Sequence, residues 1–170
     1  MGTEWMGRYR GFVAALVWHG NEYARTFSEK NIRCGNIFIT PIEWQVMEYL
    51  IEYPSNNQNM AQIARQLGLS TSTFSKVVSS LTEHGFVEKY MRPDNKKSII
   101  LRISESGRKA YEENALIVMK KLFEKSFDIL SVFSDEELKR IEDSIMALKY
   151  IGISDDNSSE IASEDLILLH

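Results

Sequence analysis

A mostly α-helical chain with one small β-hairpin is the fold class that three observations predict. Apolar residues recur at the i, i+3, i+4, i+7 spacing in several separate segments of the 170 residues. Ser, Thr and Gly stand where those segments begin and stop, as helix caps do. One short stretch, from Phe86 to Ile103, changes to aromatic and β-branched residues around a Pro-Asp-Asn turn, which predicts two paired strands.

The first predicted helix runs from Glu4 to Ser28 and carries a dense aromatic load: Trp5, Tyr9, Phe12, Trp18, Tyr23 and Phe27. Asn31 to Ile39 is read as a connector. Thr40-Pro41-Ile42-Glu43 then combines a capping box with proline at the first helical position. Ile42, Val46, Tyr49, Leu50 and Tyr53 are the expected buried face of that helix, and Pro54 to Asn59 is a polar loop.

The segment from Met60 to Gly107 is the most informative. Met60, Ile63, Ala64 and Leu67 mark an amphipathic helix that Gly68 stops. Ser70 is placed to cap the next helix, in which Phe74, Val77, Val78 and Leu81 form one narrow apolar stripe. The opposite face is left to Thr71, Ser72, Thr73, Ser75, Lys76, Ser79 and Ser80. These are short donors and acceptors with a single lysine, suited to base edges and phosphates, whereas an ordinary solvated face carries more Glu and Lys. After His84-Gly85, Phe86 to Arg92 and Ser98 to Ile103 are strand candidates, and the turn between them is basic. Two helices and a basic hairpin in this order form a winged helix-turn-helix.

Ser104 is the expected cap of a long helix reaching about Leu130, with Ala110, Tyr111, Ala115, Val118, Leu122 and Phe127 at helical spacing. Ser134-Asp135-Glu136-Glu137 opens another helix, in which Leu138, Ile141, Ile145 and Leu148 resemble a heptad seam. The first helix and the last two hold more apolar surface than a small winged lobe needs. They are read as a dimerisation layer, since two-fold pairing buries that surface and sets two recognition helices about 34 Å apart. The expected organisation is thus one domain over residues 1–151, with dimerisation helices at 4–30 and 105–150 and the winged unit at 40–104. An acidic tail, 152–170, follows; it ends in the apolar cluster Leu166-Ile167-Leu168-Leu169, which either docks or stays free.

Net charge is −4, which by itself argues against a nucleic-acid partner. Its distribution reverses that: Ala61–Ala110 holds nine Lys or Arg against four Asp or Glu, whereas Gly152–His170 holds five acids and no Lys or Arg. Phosphate meets a face and not a sum, so the local excess decides. Apolar content of 44% and charged content of 26% are those of a globular chain. The sequence has no apolar run of membrane-spanning length and no signal-peptide pattern, and its single cysteine, Cys34, has no intrachain partner; a cytoplasmic location is expected. There is no phosphate-binding glycine loop and no catalytic or metal-ligand motif, and His19, His84 and His170 are scattered, so neither enzyme activity nor a cofactor is expected.

The chain resembles the multiple antibiotic resistance regulator (MarR) family from roughly Thr40 to Tyr150. The resemblance is carried by Thr40-Pro41-Ile42-Glu43-Trp44, Ile63-Ala64-Arg65-Gln66-Leu67-Gly68-Leu69-Ser70, Leu81-Thr82-Glu83-His84-Gly85-Phe86-Val87, the wing from Arg92 to Ser98, and Ile103-Ser104-Glu105-Ser106-Gly107. It implies a homodimer on double-stranded DNA, with recognition helices in successive major grooves and wings at flanking minor grooves. It also implies a transcriptional repressor of a pseudo-palindromic operator, released by a small aromatic or amphipathic effector. One departure stands out: the family wing offers arginine after the aspartate, and here Asn95, Lys96 and Lys97 follow Asp94. Lysine lacks the flat fork that reads a narrow groove.

The DNA-contact set is therefore Thr71, Ser72, Thr73, Ser75, Lys76, Ser79 and Ser80 on the helix, with Arg92, Asn95, Lys96 and Lys97 on the wing. Trp18, Tyr23, Phe38 and Trp44 are the candidates for an effector pocket where the helical layer meets the DNA lobe. Two alternatives stay open: a winged helix that binds protein without DNA, and a redox-sensing regulator using Cys34.

Overall fold

The computed structural model describes residues 7–26, 32–55, 57–91, 98–148 and 167–169. Its elements in chain order are α1 (Arg10–Thr26), β1 (Ile32–Cys34), β2 (Ile37–Ile39), α2 (Pro41–Glu52), α3 (Met60–Gln66), α4 (Thr71–Glu83), β3 (Val87–Met91), β4 (Ile99–Ile103), α5 (Glu105–Leu130), α6 (Asp135–Leu148) and β5 (Ile167–Leu169). The expected mostly helical class with a small hairpin holds, with a second hairpin added.

The capping signals form as the residue types dictate. The Thr40 hydroxyl accepts from the Glu43 N–H at 3.1 Å, while the Glu43 carboxylate accepts from the Thr40 N–H at 2.6 Å. This reciprocal pair lets Glu43 lie buried, its charge met by an otherwise orphaned donor. Asn59 and Gln62 repeat the arrangement at the start of α3, and Ser134 and Glu137 at the start of α6.

Helices α3 and α4 stop in the same way. Gly68 and Gly85 have φ of +67° and +72°, the left-handed region that a side chain disfavours. Around each, paired backbone bonds close the helix: Leu69 N–H to Ala64 O with Gly68 N–H to Arg65 O, and Phe86 N–H to Leu81 O with Gly85 N–H to Thr82 O. Both are Schellman ends, which satisfy the last carbonyls and turn the chain sharply.

Three local readings need correction. The connector at 31–39 is a hairpin, with Ile32 opposite Ile39, Arg33 opposite Phe38 and Cys34 opposite Ile37. Ile32, Cys34 and Ile39 point inward onto the core, and β1 packs on α5. Three-residue strands are too short for a convincing period-2 pattern, so packing reveals them and sequence does not. The buried face of α2 is also wider than predicted: Trp44 and Met47 join Val46 and Leu50, whereas Tyr53 is exposed. The helix is sandwiched, with α5 on one side and α4 and β4 on the other. The first helix is described only from Arg10, after a short turn at Gly7–Tyr9, so Trp5 and Phe27 lie outside the described residues.

The core is assembled from β1 through α5, with Ile39, Val46, Met47, Ile63, Phe74, Val78, Leu81, Val87 and Leu101 all but fully buried and Val118 the last member. Among the described side chains, none of α1 or α6 is buried. Large apolar side chains on the helical layer face outward, including Trp18 (66% exposed), Leu116 (73%) and Ile117 (64%). No described helix is long and apolar enough to cross a membrane.

The wing strands β3 and β4 pair antiparallel, from Val87 opposite Ile103 to Met91 opposite Ile99. β5 adds to the other edge of β3, giving the order β4-β3-β5. Of the two fates left open for the C-terminal apolar cluster, docking is the one found for Ile167–Leu169; Leu166 and the acidic run lie outside the described residues.

The start of the wing lies tightly against α5 at Gly107. A Cβ at Gly107 would strike the carbonyl oxygen of Phe86 and lie 2.8 Å from Ile103 Cδ1. Gly→Ala inside a helix normally stabilises by about 1 kcal/mol, but here the added methyl meets backbone that cannot give way. Gly107→Ala is expected to lower unfolding free energy by about 1–3 kcal/mol, read from urea denaturation at unchanged m-value. A neutral or stabilised variant would show that the junction is loose enough to admit a methyl group.

Candidate nucleic-acid interface

Helix α4 is held from behind by three side chains. Phe74, Val78 and Leu81 are fully buried, and burial of side chains this size contributes about 1.5–3 kcal/mol each, as an upper estimate. That anchoring fixes which residues face out. Thr71, Ser72, Thr73, Ser75, Lys76 and Ser79 are exposed as expected, whereas Ser80 is half-buried toward the core side of the helix.

The exposed face is ordered at its start. The Ser70 hydroxyl accepts from the Thr73 N–H at 3.1 Å, and its oxygen lies 2.8 Å from Thr73 Oγ1 and 3.1 Å from Ser72 Oγ. Three hydroxyls thus form one cluster at the N-terminal end of the helix, where the macrodipole is positive and favours an anion.

Beside this cluster runs a groove of about 460 Å³ lined by Asn59, Met60, Ala61, Thr71, Ser75, Ser98 and Ile99. It joins the starts of α3 and α4 to the first residues of β4, so the polar helix and the wing border one concavity. Arg102 steadies the wing from its base. Its guanidinium donates to Asn57 Oδ1 at 2.8 Å and to the Leu101 carbonyl at 3.2 Å, and burial draws its pKa below the usual arginine value. Sequence reading counted Arg102 only as a strand residue; its partner lies 45 positions away, a pairing no local pattern signals. Arg92, Asn95, Lys96 and Lys97 lie outside the described residues.

A second concavity sits between α2 and α5. A cavity of about 480 Å³ is lined by Trp44, Glu48, Tyr111, Ala115, Leu116, Val118, Met119, Phe123 and Phe127. Trp44 and Tyr111 stack with ring centroids 4.6 Å apart, and the Tyr111 hydroxyl donates to Glu48 Oε1 at 2.7 Å. Burial first and then that bond push the Tyr111 hydroxyl up to about 12. Of the four predicted pocket residues, Trp44 lines this cavity. Tyr23 is not among the lining residues; burial first and then the Glu48 charge raise its pKa. Trp18 and Phe38 are exposed and do not line it. Glu48 and Tyr111 were missed as a pair because 63 positions separate them.

Cys34 is buried in the core, and burial raises its thiol to about 11. A thiol held protonated and covered is a poor nucleophile, so the redox alternative loses its chemical basis. Among the described residues there is no group of His, Cys, Asp and Glu able to hold a metal.

The polar helix and the first wing strand both lie within residues 39–98, which match the model of the MarR family. That match covers 60 of the 170 residues. It is 32% identical over 83 residues to the HTH-type transcriptional regulator PchR of Bacillus subtilis (strain 168), covering 49% of this chain and 48% of that protein. The match thus spans about half the length of the curated relatives. Among solved structures, the fold superimposes on a MarR/EmrR family transcriptional regulator from Acinetobacter sp. ADP1 with a TM-score of 0.64 at 18% identity, covering 84% of this chain and 94% of the other. It also superimposes on the S. aureus MepR–DNA complex, with a TM-score of 0.55 at 16% identity and coverage of 81% and 94%. The MarR-type likeness therefore extends as a fold well beyond the segment that matches the family in sequence.

The Cys34 environment gives a pH test. The ordinary thiol value is 9.0 and the folded value is about 11, so folding favours the protonated form. That contribution is complete below pH 9 and is lost as pH rises toward 11. A disulfide reagent at about pH 8, below the ordinary thiol value, is expected to label Cys34 only after denaturation, and Cys34→Ser should abolish that signal. Rapid labelling of the native chain would contradict the burial.

Proposed function

We propose that this chain is a sequence-specific DNA-binding transcriptional regulator, a homodimer that represses from a pseudo-palindromic operator and is released by a small molecule. The observation that carries the reading is the outer face of α4: six short or lysine side chains exposed beside a groove shared with the wing. The MarR-family match and the fold shared with a chain crystallised with DNA support it.

In this reading Thr71, Ser72, Thr73, Ser75, Lys76 and Ser79 meet base edges and phosphates in the major groove. Ser80, half-buried, serves the backbone end of the helix. Arg92, Asn95, Lys96 and Lys97 hold the flanking phosphates. The outward apolar residues of α1, α5 and α6 pair with a second copy, which removes surface that water disfavours and sets the spacing of the two reading heads. A winged helix that binds protein without DNA is the competing outcome of the salt test below.

The effector is a small aromatic or amphipathic molecule in the cavity between α2 and α5, whose size suits such a ligand. The stacked Trp44–Tyr111 pair offers a flat apolar wall, and Glu48 favours a ligand bearing a hydrogen-bond donor or a positive charge. Because α2 belongs to the DNA lobe and α5 to the helical layer, a ligand wedged between them changes the angle of one against the other. A state whose helices miss successive grooves then gains population.

Selection of bound fragments from the source genome tests sequence specificity directly; recovery of no enriched site would leave the reading without its main support. On an enriched site, Lys96→Ala with Lys97→Ala is expected to reduce the log–log salt slope by about 1.8, at about 0.9 for each phosphate that is no longer neutralised. An unchanged slope removes the wing from the interface, and no salt dependence at all favours the protein-binding alternative. Ser72→Ala and Ser75→Ala should each cost about 1 kcal/mol on the selected site and little on unrelated duplex. For the dimer, Ile141→Asp together with Ile145→Asp is expected to shift the sedimenting species from two copies to one.

A further inference from the structure

Helix α5 is flanked by two cavities of opposite character, one on each shoulder. Ala115 and Met119 face the aromatic cavity toward α2. Asn114, Ile117 and Lys121, at i, i+3 and i+7, face the β1–β2 hairpin instead, and Val118 lies between and lines both. The hairpin cavity has a volume of about 400 Å³, within the range of small-molecule sites, and both its walls come from one copy of the chain.

Those walls divide by chemistry. Ile32 and Val118, 2% and 3% exposed, are fixed in the core and make an aliphatic surface that Ile117 extends outward. Among the residues that line this cavity there is no aromatic ring and no carboxylate. Its polar members are Arg33 on β1 and Asn114 and Lys121 on α5, two cations and a neutral donor. The cavity between α2 and α5 is the reverse, with stacked rings and Glu48 as its one charged group.

Arg33 is braced where it stands. Its Nε donates to the Gly35 carbonyl in the hairpin turn at 2.8 Å, and among the described residues its two terminal nitrogens meet no acceptor. A guanidinium held at Nε keeps its planar fork for a carboxylate. Asn114 gives one amide N–H to the Ala110 carbonyl at 2.8 Å, and the same nitrogen carries a second N–H. Arg33 and Lys121 are both exposed, so an anionic head meeting them stays at the rim and avoids the cost of a buried charge. An apolar body attached to that head leaves water against the aliphatic wall.

We propose that this cavity is a second ligand site, separate from the aromatic one, which takes a small aliphatic carboxylate. The head meets Arg33, Asn114 and Lys121, and the alkyl body lies against Ile32, Ile117 and Val118. A molecule bound there bridges β1 to α5 and ties down the hairpin that leads into the Thr40 cap of α2. The site does not depend on the DNA-binding reading, and its test needs no DNA.

The probe is octanoate, with octylamine and octan-1-ol as chain-matched controls, titrated by calorimetry into the full-length protein at about 50 mM salt, where screening is modest. Hydrogen exchange locates the bound molecule. Octanoate is expected to bind about tenfold or more tightly than either control and to slow exchange in the hairpin, from Arg33 to Phe38. Arg33→Gln and Lys121→Gln should each weaken octanoate about three- to tenfold, the range for loss of one charge-assisted contact, and leave octanol unmoved. Lys109→Gln, at an exposed lysine nearer the start of α5, should change nothing. Arg33→Glu with Lys121→Glu should reverse the order and favour octylamine. Absence of octanoate binding, or octanol binding equally well, overturns the carboxylate site. Full affinity in Arg33→Gln with Lys121→Gln, or protection confined to Trp44–Glu48, puts the molecule elsewhere and overturns the assignment to this cavity.

Discussion

The junction between the end of the helix-turn-helix and the start of α5 is the constraint on which the rest of the structure depends. The Gly85 carbonyl accepts from both the Ser104 and Ser106 hydroxyls at 2.6 Å, and the Ser104 N–H donates to the Phe86 carbonyl at 3.0 Å. The Ser104 oxygen also accepts from the Gly107 N–H at 3.0 Å, capping α5. One serine therefore ends one unit and starts the next. Gly107 permits this because any side chain there would strike the Phe86 carbonyl. The Schellman turn at Gly85, the wing and the long helix are consequently held in one rigid corner.

That corner has consequences on both sides. Toward α4, it fixes the end of a helix whose buried stripe faces the core and whose hydroxyl-rich face looks outward. Toward α5, it sets the root of a helix whose far half leaves the core after Leu122 and presents apolar residues to solvent. The cavity between α2 and α5 borders this same frame, since α2 packs on α5, α4 and β4. The geometry thus connects an aromatic cavity with a polar helix through packed elements.

Much of this was legible locally. Thr40, Ser70, Ser104 and Ser134 announce helix starts because a short hydroxyl side chain is the residue type that satisfies free N–H groups there. Gly68 and Gly85 announce stops for the reason that only glycine adopts positive φ without cost. The spacing of Phe74, Val78 and Leu81 is enough to divide α4 into a hidden and an outer face. The β1–β2 hairpin, the wider buried face of α2 and the Glu48–Tyr111 bond were not legible. Each depends on what packs against the element, and its partners lie far away in sequence.

What the sequence by itself determined is the order of elements, their ends and the polarity of each helix, because caps, periodicity and turn chemistry act over a few residues. It also determined that positive charge collects around the wing and negative charge in the tail. Only the tertiary structure decided that Trp44 meets Tyr111 beside a carboxylate while Trp18 and Phe38 do not join them, that Cys34 is a buried packing residue, and that the last strand pairs with β3. Those outcomes follow from non-local packing and strand register, which close contacts between residues that no local pattern connects.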